Sequence, residues 1–462
     1  MRYVSTRGQA PEMSFEEAML TGLARDGGLY VPAGVPVMPP QEIAALGGLS
    51  YEEVAFRVMR PFIGETFTEA EFHALIARAY QGFGHVARAP LIQIGDNDWV
   101  LELHHGPTLA FKDFAMQLIG QMFEAVLARR DQRITIVCAT SGDTGSAAAE
   151  AFAGRAGVDC VVLYPHGRVS EVQRRQMTTP TAANIHALAI EGDFDDCQAL
   201  VKAMFNDFAF RDEVGLAAVN SINWARVLAQ VVYYFTSAVA LDAPARTVDF
   251  CVPTGNFGDI YAGHIARRMG LSLGRLIIAT NENDILHRTL ETGAYTRAGV
   301  NPTIAPSMDI QISSNFERLL FEIYDEDGGA VRQAMQELSR SGGFALSQGA
   351  LTRLREGFAS ARASEAETMA MIAEVARSGG TVLDPHTAIG VVAARQLKDP
   401  AVPMVTLGTA HAAKFPDAVE RACGQRPALP PRMADLYERP ERVSVIANDL
   451  ATVEAAVRER RA

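Results

Sequence analysis

The sequence predicts an α/β protein built on parallel β-sheets that are covered by helices. Short apolar runs rich in β-branched residues alternate with longer segments of helical periodicity, and this alternation is typical of βαβ units. The runs that predict strands are 134–138, 160–164, 248–252, 276–279 and 405–407. A chain of 462 residues exceeds one ordinary core, so two or three domains are expected.

The N-terminal region predicts a helical domain over residues 1–88, with little strand signal. Ser14 and Glu17 have the spacing of a capping box, which marks the start of the first helix. Helical periodicity returns at 52–59 and 69–80. The expected role of these helices is packing.

Composition narrows the class of partner. The chain is 48% hydrophobic and 21% charged, which is ordinary for a globular protein, and its formal net charge of -12 offers no field for nucleic acid or an anionic membrane. A small-molecule partner is therefore favoured. The five cysteines are scattered without C-x-x-C spacing, which argues against a disulfide framework and a metal site. No secretory signal stands out and the apolar stretch 228–241 is too short for a bilayer, so a cytoplasmic protein is expected.

One lysine lies in an unusually apolar segment. Lys112 follows a Gly-Pro turn and has Leu109, Phe111 and Phe114 as neighbours. A lysine pressed among such side chains loses hydration, which lowers its pKa and makes the amine a nucleophile for Schiff-base chemistry. Alternatively, its stem covers apolar surface while the ammonium reaches water or pairs with Asp113. The segment alone does not decide between these interpretations.

Two glycine loops follow predicted strands. Loop 253–259 comes after strand 248–252 and before a helical pattern, and such a loop presents backbone N–H groups and the positive end of a helix dipole to a phosphate. It lacks the Walker A lysine and the G-x-G-x-x-G spacing, so a phosphorylated cofactor or mononucleotide fits better than ATP or NAD. A tight turn that merely requires glycine is the alternative.

The second loop, 139–146, follows strand 134–138 and precedes an alanine-rich helix. Its hydroxyl and amide groups could hold a carboxylate at the edge of the sheet where ligands bind in open α/β folds. A phosphate site, a carboxylate site and the amine of Lys112 are together what pyridoxal phosphate chemistry on an amino acid requires.

Eight segments, in family order over nearly the whole chain, resemble the threonine synthase family of the long bacterial and fungal type. They are YVSTRG (3–8), ARDGGLYVP (24–32), FKDF (111–114), SGDTG (141–145), PTGNFGD (253–259), SSNFER (313–318), DPHTA (384–388) and TAHAAKFP (409–416). The resemblance implies a pyridoxal phosphate enzyme of fold type II, similar to tryptophan synthase β, with a smaller α/β domain inserted in a larger one. The expected units are a helical domain at 1–88, a large cofactor-binding domain at 89–112 and 246–428, a small domain at 113–245, and a tail at 429–462 that forms a loop and a polar helix.

The resemblance also implies roles for the cofactor-binding residues. Lys112 would bind the cofactor covalently and then move protons. The family's phosphate loop matches Gly255, Asn256, Phe257, Gly258 and Asp259. The Asp259 carboxylate must then point away from the anion or cap the helix. Thr409 matches a position that places a hydroxyl near the pyridine nitrogen.

Further residues are candidates for binding the substrate. Ser141 and Thr144 would meet its carboxylate, with Asp143 on the O3′ side of the cofactor. A carboxylate beside another anion requires that Asp143 accept backbone N–H groups or carry a proton. Arg318 and Lys414 are candidates for a substrate phosphate, because a guanidinium or ammonium matches that group well.

The resemblance implies that the protein converts O-phospho-L-homoserine and water to L-threonine and phosphate, which is the last step of threonine biosynthesis. It also implies a monomer. A second interpretation is another fold type II enzyme, such as a serine or threonine dehydratase or a cysteine synthase, although segments 3–8 and 313–318 argue against it. A third is a threonine synthase-like protein without turnover. A nucleotide-binding protein without pyridoxal phosphate is disfavoured because the loop lacks a P-loop lysine.

Overall fold

Two sheets of parallel strands organise the molecule, and the computed structural model describes residues 1–378 and 380–461. The strands are β1 (Tyr3–Ser5), β2 (Tyr30–Pro32), β3 (Leu91–Gly95), β4 (Asp98–Glu102), β5 (Ile134–Ala139), β6 (Val158–Pro165), β7 (Ile185–Glu191), β8 (Leu216–Ala217), β9 (Val248–Pro253), β10 (Leu273–Thr280), β11 (Ala294–Thr296), β12 (Gly343–Ala345), β13 (Phe358–Arg362), β14 (Met404–Gly408) and β15 (Ser444–Ala447). The helices are α1 (Phe15–Thr21), α2 (Pro40–Ala44), α3 (Tyr51–Ile63), α4 (Glu69–Tyr80), α5 (Lys112–Arg130), α6 (Asp143–Phe152), α7 (Glu171–Thr178), α8 (Phe194–Asn206), α9 (Phe208–Val214), α10 (Trp224–Ala240), α11 (Gly258–Arg268), α12 (Ile285–Thr292), α13 (Phe316–Ile323), α14 (Gly328–Ser341), α15 (Gln348–Gly357), α16 (Glu365–Ser378), α17 (Pro385–Leu397), α18 (Pro416–Cys423) and α19 (Leu450–Glu459).

The larger sheet has the order β13-β10-β9-β14-β4-β3 and is parallel except for the antiparallel edge pair β3 and β4. Three of its strands, β9, β10 and β14, are those predicted from 248–252, 276–279 and 405–407. Every residue of β9 and β14 is buried, which explains why these strands are mostly apolar on both faces, with Asp249 and Thr406 as the exceptions. The predicted parallel α/β architecture is confirmed.

The smaller sheet has the order β15-β7-β6-β5-β8, and all its pairs are parallel. Strands β5 and β6 were predicted from the sequence. Strand β15 was not, because segment 429–462 predicts only a loop and a helix. The helix is present as α19, but four residues before it pair with β7 at the sheet edge. Since β15 is short and two of its residues are exposed, it carries little strand signal.

The N-terminal region is helical, as predicted, with one addition. Ser14 caps α1 by accepting from the Glu17 N–H, and the Glu17 carboxylate accepts from the Ser14 N–H at 2.8 Å, so the capping box is confirmed. Strands β1 and β2 form a short antiparallel ribbon, which corrects the expectation of little strand structure. This ribbon brings the chain around residue 7 towards α13 and α14.

The domain boundaries inferred from the sequence stay a proposal. Strand β15, from segment 429–462, belongs to the smaller sheet. Across the described residues 1–378 and 380–461, no helix has the length and apolarity needed to cross a membrane.

Candidate active site

The carboxyl ends of strands from both sheets border one cavity of about 990 Å³. Most of the residues predicted for the site line it: Lys112, Ser141, Asp143, Thr144, Gly255, Asn256, Phe257, Gly258, Asp259 and Thr409. Residues after β5, β9 and β14 thus meet in one place, as expected for the ligand-binding edge of an open α/β sheet. The described lining does not include Arg318 or Lys414.

Lys112 is the first residue of α5, and its side chain is only 12% exposed. Its Nζ lies 3.5 Å from Asp143 Oδ2 and 5.3 Å from the ring centroid of Phe111. Burial lowers the pKa of Lys112, partly opposed by Asp143 and reinforced by Arg226. Asp113 is not its partner, because that carboxylate accepts from the backbone and hydroxyl of Thr108. The surface interpretation of this lysine is therefore wrong.

The other lysines are poor candidates for the nucleophile. The chain has four lysines in all. Lys202 is exposed on α8, and Lys398 donates to the Asp96 carbonyl outside the cavity. Lys414 is fully buried and has three acceptors. Lys112 alone combines burial with a cavity-facing amine, so the structure supports it as the nucleophile.

The glycine loop has the geometry of a phosphate cradle. Strand β9 ends at Pro253, Phe257 has a left-handed backbone with φ +63°, and α11 begins at Gly258. The first N–H groups of α11 have no partner within the helix, and they border the cavity together with the loop. A Cβ at Gly255 would lie 2.6 Å from the Ser307 carbonyl oxygen, so the close approach of these backbones requires glycine. These features fit the phosphate of a cofactor.

Two tyrosine hydroxyls of α10 bind the Asp259 carboxylate. The Tyr233 hydroxyl donates to Asp259 Oδ1 at 2.6 Å, and the Tyr234 hydroxyl donates to the same oxygen at 3.1 Å. Burial raises the pKa of Asp259 to about 7, even though both hydroxyls oppose that rise. Its carboxylate therefore does not repel an anion in the loop as an exposed aspartate would.

The pH dependence of stability should report this buried carboxyl. An unfolded aspartate titrates near 3.9, so between about pH 4 and pH 7 the native state binds the extra proton and the contribution of Asp259 to the unfolding free energy falls as pH rises. In Asp259→Asn this contribution is absent. Between pH 5 and pH 8, the unfolding free energy of the variant should therefore rise by about 2–4 kcal/mol relative to that of wild type. Urea denaturation of the cofactor-free proteins measures the difference.

Asp325→Asn is the matched control, because the Asp325 side chain is 78% exposed and its removal should leave the pH slope of wild type unchanged. If wild type and Asp259→Asn had parallel stability curves between pH 5 and pH 8, the raised pKa of Asp259 would be contradicted.

Asp143 is held differently from either arrangement expected. It begins α6, and its Oδ1 lies 3.0 Å from Lys414 Nζ and 2.9 Å from Gln173 Nε2, which donates to it. Burial alone would raise the pKa of Asp143, but the ammonium groups of Lys414 and Lys112 lower it below its ordinary value. The carboxylate is therefore ionised without backbone N–H donors, because two cations compensate it.

The expected roles of Lys414 and Arg318 in binding a substrate phosphate are contradicted. Besides pairing with Asp143, Lys414 Nζ donates to the Thr108 carbonyl at 2.7 Å and to Gln176 Oε1 at 2.9 Å. Its three N–H groups thus have acceptors, and its role is to neutralise Asp143.

Arg318 is also fully buried, at 0% exposure. Its guanidinium donates to the carbonyls of Tyr30 and Ile222 and to the Asn315 side chain. Arg318 therefore ties α13 to the N-terminal ribbon and does not reach the cavity. The sequence could show a cation near a family motif, but not which distant backbone groups it meets.

The other three predicted residues, Thr409, Ser141 and Thr144, also line the cavity. Thr409 directly follows β14, and its backbone is fixed by a bond from the Phe111 N–H at 2.9 Å and by its own N–H donating to Thr387 at 3.2 Å. Ser141 and Thr144 lie at the cavity wall on either side of Asp143. Their contacts with a ligand stay a prediction.

Several cavity residues were missed by sequence reasoning. Arg226 and Gln230 line the cavity from α10, and Arg7 lines it from the N-terminal ribbon. Arg7 pairs with Glu317 at 2.9 Å. The signal for Arg226 was available, because an arginine followed four residues later by a glutamine is unusual in a helix that is otherwise nearly all apolar.

Three family models match consecutive parts of the chain. The family model described as "Pyridoxal-phosphate dependent enzyme" matches residues 82–352, which contain Lys112 and both glycine loops. The models "Threonine synthase N terminus" and "Threonine synthase, C-terminal" match residues 2–80 and 387–457. The fold and the site thus define a pyridoxal phosphate-dependent enzyme of fold type II.

Individual relatives specify the family. The threonine synthase of Pseudomonas aeruginosa is 55% identical over 99% of this chain and 98% of its own length. The crystal structure of pyridoxal phosphate-bound threonine synthase from Brucella melitensis has 56% identity and a TM-score of 0.97 over 100% of both chains. Human threonine synthase-like 2 is 36% identical over 96% of this chain and 94% of its own length. The chain belongs to the threonine synthase family.

Proposed function

We propose that the protein converts O-phospho-L-homoserine and water to L-threonine and inorganic phosphate. The observation that carries this proposal is that Lys112 lines one cavity together with loop 141–144, proposed to bind the substrate carboxylate, and loop 255–259, proposed to bind the cofactor phosphate. Pyridoxal phosphate, when bound, supplies an electron sink that stabilises negative charge at the substrate's α carbon. The surrounding residues must bind, orient and move protons.

Lys112 is the proposed proton carrier. Its pKa is lowered by burial, so the free amine is populated nearer neutral pH than that of an exposed lysine. Asp143 lies 3.5 Å from Nζ and can orient the ammonium form between transfers. Ser141 and Thr144 would hold the substrate carboxylate, and the Thr409 hydroxyl would meet the pyridine nitrogen. A hydroxyl, unlike a carboxylate, does not enforce a protonated ring.

The substrate's own phosphate needs cations, and Arg318 and Lys414 do not supply them. Lys202 on α8, Arg297 after β11 and Arg332 on α14 line the same cavity. Arg332 donates to the Arg7 carbonyl, while Lys202 is exposed. We propose that these three side chains supply the positive charge for the second phosphate.

The direct test is to incubate the purified protein with pyridoxal phosphate and O-phospho-L-homoserine and to follow phosphate and L-threonine together. Equal release of both supports the proposal. Phosphate accompanied by 2-oxobutanoate would mean that elimination occurs without completion of water addition. Cofactor binding without either product would contradict the proposed activity and favour a protein without turnover or another substrate.

Substitution of the phosphate cradle should weaken cofactor binding. In Gly255→Ala the new Cβ would meet the Ser307 carbonyl at 2.6 Å, so the loop must move. We expect a loss of about 1–3 kcal/mol in unfolding free energy from overpacking. Affinity for pyridoxal phosphate should fall about tenfold or more, because displaced amide donors lose charge-assisted hydrogen bonds. Urea denaturation and cofactor titration measure the two effects.

Gly349→Ala is the matched control, because a Cβ there meets open space. It should keep the cofactor affinity of wild type. A Gly255→Ala protein with unchanged affinity would show that the loop does not form the cradle.

The compartment and the oligomeric state are also proposals. All five cysteines are free thiols, which suits a reducing compartment such as the cytoplasm. The family resemblance supports a monomer, and sedimentation equilibrium of the cofactor-loaded protein would test it.

A further inference from the structure

Arg226 is a buried cation that none of the described carboxylates pairs with. The residue is 3% exposed, and its Nε has no hydrogen-bond partner. Its Nη1 donates only to the Val219 carbonyl, at a long 3.4 Å. Within residues 1–378 and 380–461, no carboxylate forms an ion pair with it. A buried guanidinium in this condition is costly unless an anion completes its surroundings, and Arg226 borders the cavity where such an anion can enter.

The neighbouring acidic group does not serve as that anion. Asp259 is engaged by the hydroxyls of Tyr233 and Tyr234, and burial raises its pKa to about 7. Cys138 is a buried thiol whose pKa is raised to about 12, so it carries no negative charge near neutral pH. The charge of Arg226 is therefore available to a ligand.

The position of Arg226 relates it to the glycine loop. Gln230 follows one helical turn later on α10, is equally buried, and also borders the cavity. A Cβ at Gly258 would lie 3.9 Å from Gln230 Oε1, so this face of α10 looks onto the start of α11. A ligand held by the N–H groups at the start of α11 would meet the same helix face.

We infer that Arg226 is a phosphate ligand, whose guanidinium donates to a phosphate monoester at the glycine loop. The inference rests on the proposed function, in which two phosphate monoesters enter this cavity, one on the cofactor and one on the substrate. A planar guanidinium with two parallel donors suits a phosphate better than a backbone cradle alone. The proximity of Gln230 to Gly258 favours the phosphate of the cofactor.

The first arm of the test compares pyridoxal phosphate with pyridoxal, which lacks the phosphate. Both are titrated into cofactor-free wild type and Arg226→Met, with the change in absorbance as readout. We expect pyridoxal phosphate to bind about 10- to 100-fold more weakly to the variant, because a charge-assisted bond is lost, while pyridoxal changes less than about twofold. Lys398→Met removes a charge outside the cavity and should keep the affinity ratio of wild type.

Arg226→Lys keeps the charge and serves if the methionine variant does not fold. Arg226→Lys should lower the ratio of the affinity for pyridoxal phosphate to the affinity for pyridoxal by roughly three- to tenfold, because one ammonium replaces a guanidinium with two parallel donors.

The second arm distinguishes the substrate as source. The cofactor-loaded proteins are titrated with the phosphonate analogue of the substrate, which cannot lose phosphate, and with L-norvaline, which lacks the phosphonate. If the Arg226 variants lost affinity for the phosphonate analogue but not for L-norvaline or pyridoxal phosphate, Arg226 would be a ligand of the substrate's phosphate. If both pairs of ligands kept the affinity ratios of wild type in both Arg226 variants, the inference would be overturned. Failure of wild type to bind pyridoxal phosphate would instead contradict the proposed function.

Discussion

Replacement of Lys112 by alanine should abolish threonine formation and covalent retention of the cofactor. Of the four lysines in the chain, Lys112 is the one that is both buried and at the cavity, and its Nζ lies 3.5 Å from Asp143 Oδ2. Loss of a group that both binds the cofactor and moves protons should lower kcat by about 10³-fold or more. After reduction with borohydride, mass spectrometry should find the cofactor attached at Lys112 in wild type and absent from the variant.

Lys398→Ala is the matched control, because Lys398 lies outside the cavity and donates to the Asp96 carbonyl. It should keep both the attached cofactor and the turnover of wild type. A Lys112→Ala protein that makes threonine at the rate of wild type would refute the assignment of the nucleophile.

Asp143→Asn should cause the second large effect, on stability. The substitution leaves Lys414 fully buried without the carboxylate that lies 3.0 Å from its Nζ. Breaking a buried ion pair from one side typically costs about 3–5 kcal/mol, and we expect a loss of that size in unfolding free energy. The pKa of Lys112 should also fall further, because Asp143 is the group that raises it. Urea denaturation and the pH dependence of amine labelling in the cofactor-free protein measure these changes.

A double-mutant cycle separates the pair from other effects. Lys414→Met removes the other partner, and the double variant removes both charges from the interior, so it should be more stable than the sum of the two single losses predicts. Asp417→Asn is the control, because the Asp417 side chain is 90% exposed and its loss should cost less than about 0.5 kcal/mol. Additive losses in the cycle would show that Asp143 and Lys414 do not interact as described.

The sequence predicted the parts of the fold whose signals are local. Strands β9 and β14 are mostly apolar because both their faces are buried, and the glycine loop follows directly where β9 ends. Lys112 could be predicted because its apolar neighbours are adjacent in the sequence. In each case, the residues that determine the feature are close to one another in the sequence.

Arg318 and Lys414 were expected to bind a substrate phosphate, but their surroundings are set by residues far away in the sequence. Arg318 meets the carbonyls of Tyr30 and Ile222, and Lys414 meets the carbonyl of Thr108, so only the tertiary fold shows that these cations are already satisfied. Arg226 presents the converse case, because only the folded structure shows that its Nε has no partner among the described residues.

Strand β15 has a consequence for how the protein is made. Residues 444–447 complete the smaller sheet beside β7, and Val453 and Val457 of α19 pack into the apolar cluster that includes Met204 of α8. These residues emerge from the ribosome more than two hundred residues after α8, so the smaller sheet has an open edge and α8 has an uncovered apolar face during most of synthesis. Because α8 also forms a wall of the cavity, a nascent chain should acquire a finished ligand site only after residues 444–457 have been synthesised.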